Sequence, residues 1–243
     1  MRDLLLFALT LSTGAVDAFS WLGLGKVFSA FMTGNVVFVG FRAGGAPGPA
    51  LPRVLSAVAA FAVGAAVAGW MVRGVKREGS VWPRRVTLTL AVGLVPQAIF
   101  LALWLAVDGR PSSQSGNALI ALSALAMGTQ TIAVFSLGVR AVFTTAATAT
   151  LAVFMGDLSG LPQSNGERGR LVATIVALLG GACAGAALFT HARSWAPLLP
   201  LAVTAIVIAA AELVFQEQGS VSRPAPRGAV GTGKPRSASA ASD

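Results

Sequence analysis

The chain has 243 residues, 55% of them hydrophobic and 11% charged, with 18 Lys+Arg against 9 Asp+Glu and a net charge of +9. Soluble domains carry about 25% charged residues, and a soluble fold cannot hide five uncharged apolar stretches of the length found here, so a soluble protein is excluded. The basic excess sits in short loops and the C-terminal tail without any recognition module, which speaks for a membrane protein and against nucleic acid.

In chain order, the first apolar stretch is Leu4–Gly25. Its start resembles a secretory leader, but Arg2 is followed by Asp3 and the repeat described below needs the segment retained. Val27–Phe41 follows with 15 residues, about 22 Å as a helix and too short to cross a 30 Å hydrocarbon core. Val54–Val72 (19 residues) and Val86–Val107 (22 residues) are each free of charge. Ser112–Val139 is longer still, with its apolar part starting near Ala118. After a second short piece, Ala141–Gly156, come Leu171–Thr190 (20 residues) and Ser194–Ala211 (18 residues). The tail from Gly219 onward is rich in Ser, Ala, Pro and Gly and has no apolar period, so it cannot order itself by burial.

Shifting the chain by 115 residues lays Trp21–Asn35 on Ser136–Thr150, with Leu22/Leu137, Gly23/Gly138, Val27/Val142, Phe28/Phe143 and Thr33/Thr148 identical. The apolar segments keep the same order in both halves, and Ala65/Gly69 matches Gly181/Gly185 as a small-xxx-small face. The expected organisation is a first membrane repeat over 1–110, a second over 111–217 and a basic cytoplasmic tail over 218–243.

Charge chooses between six and eight spans. If the short segments do not cross, 12 basic residues fall inside and four outside (Arg42, Arg53, Arg110, Arg193), with Lys26 and Arg140 at the breaks. If all segments cross, eight lie inside and ten outside. The expected fold is therefore all-α, with about six transmembrane helices as two three-helix inverted repeats. Each repeat contains a short broken or re-entrant segment, and both termini are cytoplasmic.

Few residues are available for chemistry. Asp17 is the one acid well inside an apolar segment of the first half; at that depth it needs an interior partner, a hydroxyl such as Thr13, a cation or a proton. Lys26 and Arg140 lie at the junctions of long and short segments, as partners for Asp17, as contacts for an anionic solute, or as snorkelling side chains. Thr33-Gly34-Asn35 and Thr148-Ala149-Thr150 fall in the short segments, where small and polar residues serve non-helical backbone beside a cavity. Gln97 and Gln130 are further intramembrane polar groups, suited to bonding between helices. Cys183 alone excludes an internal disulfide and a Cys-rich metal site, and His191 alone excludes a His cluster.

The stretch Gly14-Ala15-Val16-Asp17-Ala18-Phe19-Ser20-Trp21-Leu22-Gly23, continued by Val27-Phe28-Ser29-Ala30-Phe31-Met32-Thr33-Gly34-Asn35-Val36, resembles the YoaK family of bacterial inner-membrane proteins, whose function is uncharacterised. Gly128 and Gln130 look like that family's Gly-x-Gln, and Thr145 and Thr148 like its threonines. Thr148-Ala149 stands where a second Thr-Gly is common, and Thr131 where an Asn is expected. The resemblance implies a multi-pass inner-membrane fold and names no substrate.

The function expected from these residues is a small-solute secondary transporter or permease. Its substrate site is formed by Asp17, Thr33, Gly34 and Asn35 from one half and Gln130, Arg140, Thr145 and Thr148 from the other. The alternative is a non-transporting membrane protein that binds a partner or lipid. No enzyme is expected, because a lone buried carboxylate lacks the second acid, histidine or metal set that hydrolysis needs. The expected surroundings are the lipid bilayer and a small polar or charged solute, with no cofactor and no nucleic acid. The small-residue faces serve contacts within one chain or between copies in a homo-oligomer.

Overall fold

The computed structural model describes residues 1–74, 81–139 and 165–221. Among them are seven α-helices: α1 Arg2–Gly23, α2 Met32–Ala43, α3 Leu51–Met71, α4 Arg84–Ala106, α5 Ser113–Ser136, α6 Asn165–His191 and α7 Leu198–Val221. Six of these, all but α2, contain an apolar stretch long enough to cross a membrane. Local signals set their starts. Ser112 caps α5 by accepting the Ser115 N–H at 3.2 Å, and Pro52 opens α3, where its missing N–H costs nothing. Pro96 lies inside α4, a position that membrane helices tolerate when neighbours satisfy the freed carbonyl.

α1 and α5 form the centre: 61% of the apolar window of each is buried, against 22% for α3, α6 and α7. The outer helices turn large apolar side chains such as Val63, Leu179 and Ile206 outward, where lipid replaces a protein partner. α1 packs chiefly on α6 and α7, and α5 on α3 and α4. The two main crossings are built alike. A Cβ on Gly14 would come within 2.2 Å of the Leu178 carbonyl, and one on Gly181 within 1.9 Å of the Leu11 carbonyl. In the other pair, a Cβ on Gly128 would meet the Phe61 carbonyl at 2.2 Å, and one on Gly64 the Leu125 carbonyl at 2.1 Å. Helices this close attract through backbone-level packing, which drives association where lipid tails offer no hydrophobic gain. The sequence alignment set Ala65/Gly69 against Gly181/Gly185; Gly64 is the residue that fills the role of Gly181, and Gly69 meets nothing within 4 Å.

Both crossings are parallel, since Leu11 and Ala15 meet Gly181 and Gly185 in order, as Phe61 and Gly64 meet Gly128 and Thr129. Arg53 fixes how the two pairs stand. From the first turn of α3 it donates to the Leu24 carbonyl at the end of α1 (3.4 Å), and to the Ser113 carbonyl (2.7 Å) and Asn117 Oδ1 (3.0 Å) at the start of α5. The end of α1 therefore shares a face with the starts of α3 and α5, and α1 and α5 run in opposite directions. At the other face, Arg170 of α6 reaches Asp3 of α1 at 2.8 Å, and Ala133 and Val134 of α5 pack with Leu5, Leu6 and Leu9. The segment between α1 and α3 thus leaves and returns on one face. With 12 residues, α2 is about 18 Å long and does not cross.

Candidate functional site

The site grows from the break between α1 and α2. α1 stops at Gly23, and Gly25 (φ +80°) with Lys26 (φ +60°) turns the chain back on itself. Glycine adopts this left-handed backbone freely, whereas Lys26 is held there at a strain of about 1 kcal/mol or more. The returning strip, Val27–Phe31, has no helical bonds of its own, so its polar backbone needs other partners in an apolar setting. Two side chains supply them. Asp17 Oδ1, one and a half turns before the end of α1, accepts the Ser29 N–H at 2.9 Å and the Ala30 N–H at 2.8 Å. Asn35, buried in the first turn of α2, accepts the Phe28 N–H at 3.0 Å and donates to the Phe28 carbonyl at 2.7 Å. Ser20 and Ser29 join through their hydroxyls at 2.7 Å. Bonds to a charged acceptor are worth about 1.5–3 kcal/mol each, so the carboxylate is the strongest tie on this strip.

Beside Asp17, between α1, the returning strip and α6, lies a cavity of about 670 Å³. α1 lines it with Thr13, Gly14, Asp17, Ala18 and Trp21, the returning strip with Phe28 and Phe31, and α6 with Ala182, Cys183 and Ala186 across from α1. The volume sits within the range of about 300–1,000 Å³ usual for small-molecule sites. No basic side chain lines it, and Asp17 is its one charged group.

The expected site residues distribute as follows. Asp17 borders the cavity, but its partners are backbone N–H groups rather than Thr13, whose hydroxyl bonds Leu9 and receives Gln130. Thr33, Gly34 and Asn35 are helical, in the first turn of α2. The break lies one turn earlier, over Leu24–Phe31, because Asn35 spends its amide on Phe28 instead of on its own helix. Thr33 is exposed on the outer side of α2, and Gly34 lies against the rings of Phe31 and Phe28. Gln130 stands behind α1, donating to the Leu9 carbonyl at 3.2 Å and Thr13 Oγ1 at 3.1 Å. Lys26 is exposed at the turn. Arg140, Thr145, Thr148 and the whole segment 141–156 lie outside the described residues.

Sequence reasoning passed over three sets of residues. Arg53 was counted as a loop cation, yet it joins three helix ends. The Asn117 and Asp3 partners of Arg53 and Arg170 were not singled out, although the two pairs are offset by 114 and 117 residues, within two of the repeat shift. The aromatic set lining the cavity was also missed: Trp21 stacks on Phe28 with centroids 4.9 Å apart, and Phe31 meets Phe28 edge-on at 5.2 Å and 81°. Among the described residues no three His, Cys, Asp or Glu side chains converge as a metal would require.

A family model described as "Protein of unknown function (DUF1275)" matches residues 5–210. The chain is also 35% identical over 159 residues to UPF0700 transmembrane protein YoaK of Bacillus subtilis (strain 168), an alignment that covers 65% of this chain and 68% of that protein. No solved structure matches. The matched region runs through all six long apolar helices and the break that Asp17 holds, and the chain belongs to the DUF1275 family of membrane proteins.

Proposed function

We propose that this protein is a secondary transporter or permease for a small solute, built as two inverted three-helix halves and seated in the bacterial inner membrane with both termini in the cytoplasm. The observation that carries this reading is the cavity beside a broken membrane segment whose backbone is held by an intramembrane carboxylate. Non-helical backbone at membrane depth is stable only where protein or a cavity surrounds it, and transporters made of inverted repeats bind solute at such breaks. Further support comes from the matched glycine crossings, which relate α1·α6 to α5·α3 by exchange of the halves. The same exchange relates α1·α7 to α5·α4. Rocking one pair against the other about the α1–α5 contact would open the cavity to alternate faces. The solute site centres on Asp17 at the break, with Asn35 holding the strip that forms its wall. Gly34 and Gln130 act through packing and helix contacts around it. Thr33 lies at the outer side of α2, and Arg140, Thr145 and Thr148, outside the described residues, are the residues the second half of the sequence would contribute.

The alternative, a non-transporting membrane protein that binds a partner or lipid, is favoured by one specific observation. The Asp17 Oδ1 contacts are those of a fixed strut, and a strut need never exchange its partners.

Two experiments divide the readings. In a Cys183→Ser background, single cysteines at Gly44, Ser112 and Ser194 are expected to label from outside the cell, and those at Ser80, Ser164 and Ser239 only from the cytoplasm. Purified protein in liposomes is then assayed for exchange of a panel of labelled amino acids, sugars, organic acids and amines, with Asp17→Asn as the comparison. Exchange that Asp17→Asn abolishes supports transport; exchange of none of them favours the alternative.

A further inference from the structure

We infer that the cavity beside Asp17 takes an organic cation with an apolar body, an ammonium or phosphonium carried on alkyl or aryl groups. This inference names the solute class of the proposed transport site and rests on that reading. The charge argument comes first. Of the side chains that line the cavity, Asp17 alone is charged and none is basic. A carboxylate has about four lone-pair directions; the Ser29, Ala30 and Phe31 N–H groups engage up to three of them, and Asp17 itself lines the cavity. An anion brought here would meet a like charge in an apolar setting, where repulsion is weakly screened.

Shape and aromatic chemistry agree. Trp21, one turn after Asp17 on α1, and Phe28 and Phe31, which flank the Ser29–Ala30 pair bound to Asp17, line the same cavity. Phe28 lies nearly flat on Trp21, at 24°, and Phe31 stands at 81° to Phe28. Phe28 is itself stacked between Trp21 and Phe38, so the rings that can meet a diffuse cation beside the carboxylate are Trp21 and Phe31, which line the cavity and add their quadrupoles to the formal charge. The α6 wall, Ala182 and Ala186, and the α1 residues Gly14 and Ala18 are small-sided and offer a bulky apolar body contact without a polar demand. A sugar or an amino-acid zwitterion would leave its hydroxyls or carboxylate unpaired against that wall, which disfavours both.

The test uses the full chain in nanodiscs of phosphatidylglycerol, a lipid without an ammonium group. Its probes are tetraphenylphosphonium and tetraphenylborate, which share one shape and carry opposite charge. Binding is measured by equilibrium dialysis against empty nanodiscs. The expected result is saturable binding of the cation, at least about tenfold tighter than the anion, and a loss of about tenfold or more in Asp17→Asn. Asn keeps an acceptor for Ser29 and Ala30, and Phe31→Leu, expected to weaken the cation several-fold, leaves that strip's ties untouched. Cys183, in the cavity wall, locates the site: bound cation is expected to slow its alkylation by N-ethylmaleimide. Equal binding of the two ions, binding indifferent to both substitutions, or binding that leaves Cys183 unprotected overturns the inference. Competition by added phosphatidylethanolamine supports it and identifies the cation as a lipid headgroup; without competition, a free solute is identified. Cation binding without exchange across liposomes leaves the site standing and removes the transporter. Exchange of a neutral or anionic solute with no cation binding does the reverse.

Discussion

Arg53 Nε donates to Asn117 Oδ1 at 3.0 Å, and the matching positions of the other half are filled by Arg170 and Asp3, joined at 2.8 Å. Arg53 and Arg170 are 117 residues apart and Asp3 and Asn117 are 114 apart, so one clamp is used twice, once at each face. Each clamp fixes the N-terminal part of one outer helix, within its first two turns, to the N-terminal part of a central one. That contact sets the parallel register in which the glycine crossings can form.

The two clamps differ in weight. Arg53 adds bonds to the Ser113 and Leu24 carbonyls, whereas the Arg170–Asp3 pair is about one-third exposed on both sides. An exposed pair contributes about 0.2–1 kcal/mol; part-buried hydrogen bonds from a charged group, such as those to Asn117 and Leu24, contribute about 1.5–3 kcal/mol, and the exposed Ser113 bond adds less. Arg53→Ala is therefore expected to lower the unfolding temperature in detergent clearly more than Arg170→Ala does. Arg53→Lys is expected to rescue little, because an ammonium cannot span three acceptors. Equal losses at the two positions would falsify this ranking.

At the break, Asp17 and Asn35 divide the backbone of one strip between them. Asp17→Ala strands the Ser29 and Ala30 N–H groups at about 1–3 kcal/mol each, while Asp17→Asn keeps an acceptor in place. The expected order of stability is wild type, then Asp17→Asn, then Asp17→Ala. Asn35→Ala is expected to release Phe28 by a comparable amount. Hydrogen exchange read at residues 28–30 checks this locally, with faster exchange there than in α5. An Asp17→Ala protein with unchanged exchange over those residues would mean that the carboxylate does not hold the strip.

Uncharged length located the six long helices, because a hydrocarbon core demands it of every span, but not all their ends: α6 starts six residues before Leu171 and α7 runs ten residues beyond Ala211. The matched residues around Gly23 and Gly138 fall at the ends of α1 and α5, while the rest of the second matched stretch lies outside the described residues. The register of the break was not legible. Thr33-Gly34-Asn35 reads as the irregular piece by composition, yet Asn35 sits in a helix and reaches back to Phe28, and composition does not reveal a side chain that works seven residues upstream. Asp17 was conspicuous as a charge, but its partners are peptide N–H groups that every residue owns. Arg53 escaped notice because counting it by face hides what its fork touches. Trp21, Phe28 and Phe31 read as ordinary apolar residues until the turn at Gly25 and Lys26 brings them to one cavity.

Two buried glutamines separate glue from surplus. Gln130 makes two bonds near 3.1 Å, to Leu9 and Thr13, across the contact of the two central helices. Gln97 makes one long bond of 3.5 Å to Thr204. Both Oε1 atoms are buried without a partner among the described residues. Replacing Gln97 by Leu removes an unsatisfied acceptor and one weak bond, and is expected to leave stability unchanged or raise it by up to about 1 kcal/mol. Gln130→Leu loses two sound bonds between helices, at about 0.6 kcal/mol each in membrane proteins, and is expected to destabilise. Thermal unfolding of the two variants side by side checks the contrast, and a reversal of their order would count against the α1–α5 contact as described.

The glycine crossings give the sharpest test of how the helices meet. A methyl group on Gly181 would stand 1.9 Å from the Leu11 carbonyl, and one on Gly64 2.1 Å from the Leu125 carbonyl. Backbone on both sides cannot yield, so each helix pair must separate, and overpacking of this kind costs about 1–3 kcal/mol or more. Gly69 lies on the same helix as Gly64 and belongs to the small-xxx-small pattern read from the sequence, but a Cβ there meets nothing within 4 Å. Gly181→Ala and Gly64→Ala are therefore expected to destabilise by similar amounts, as equivalent positions of two like crossings. Gly69→Ala is expected to be neutral or to stabilise by up to about 1 kcal/mol, the gain from removing a helical glycine. The measurement is the yield of monodisperse protein and its unfolding temperature for the three variants. A harmful Gly69→Ala beside a harmless Gly64→Ala would shift the α3–α5 register by more than one turn, and with it the position of Arg53 over the end of α1.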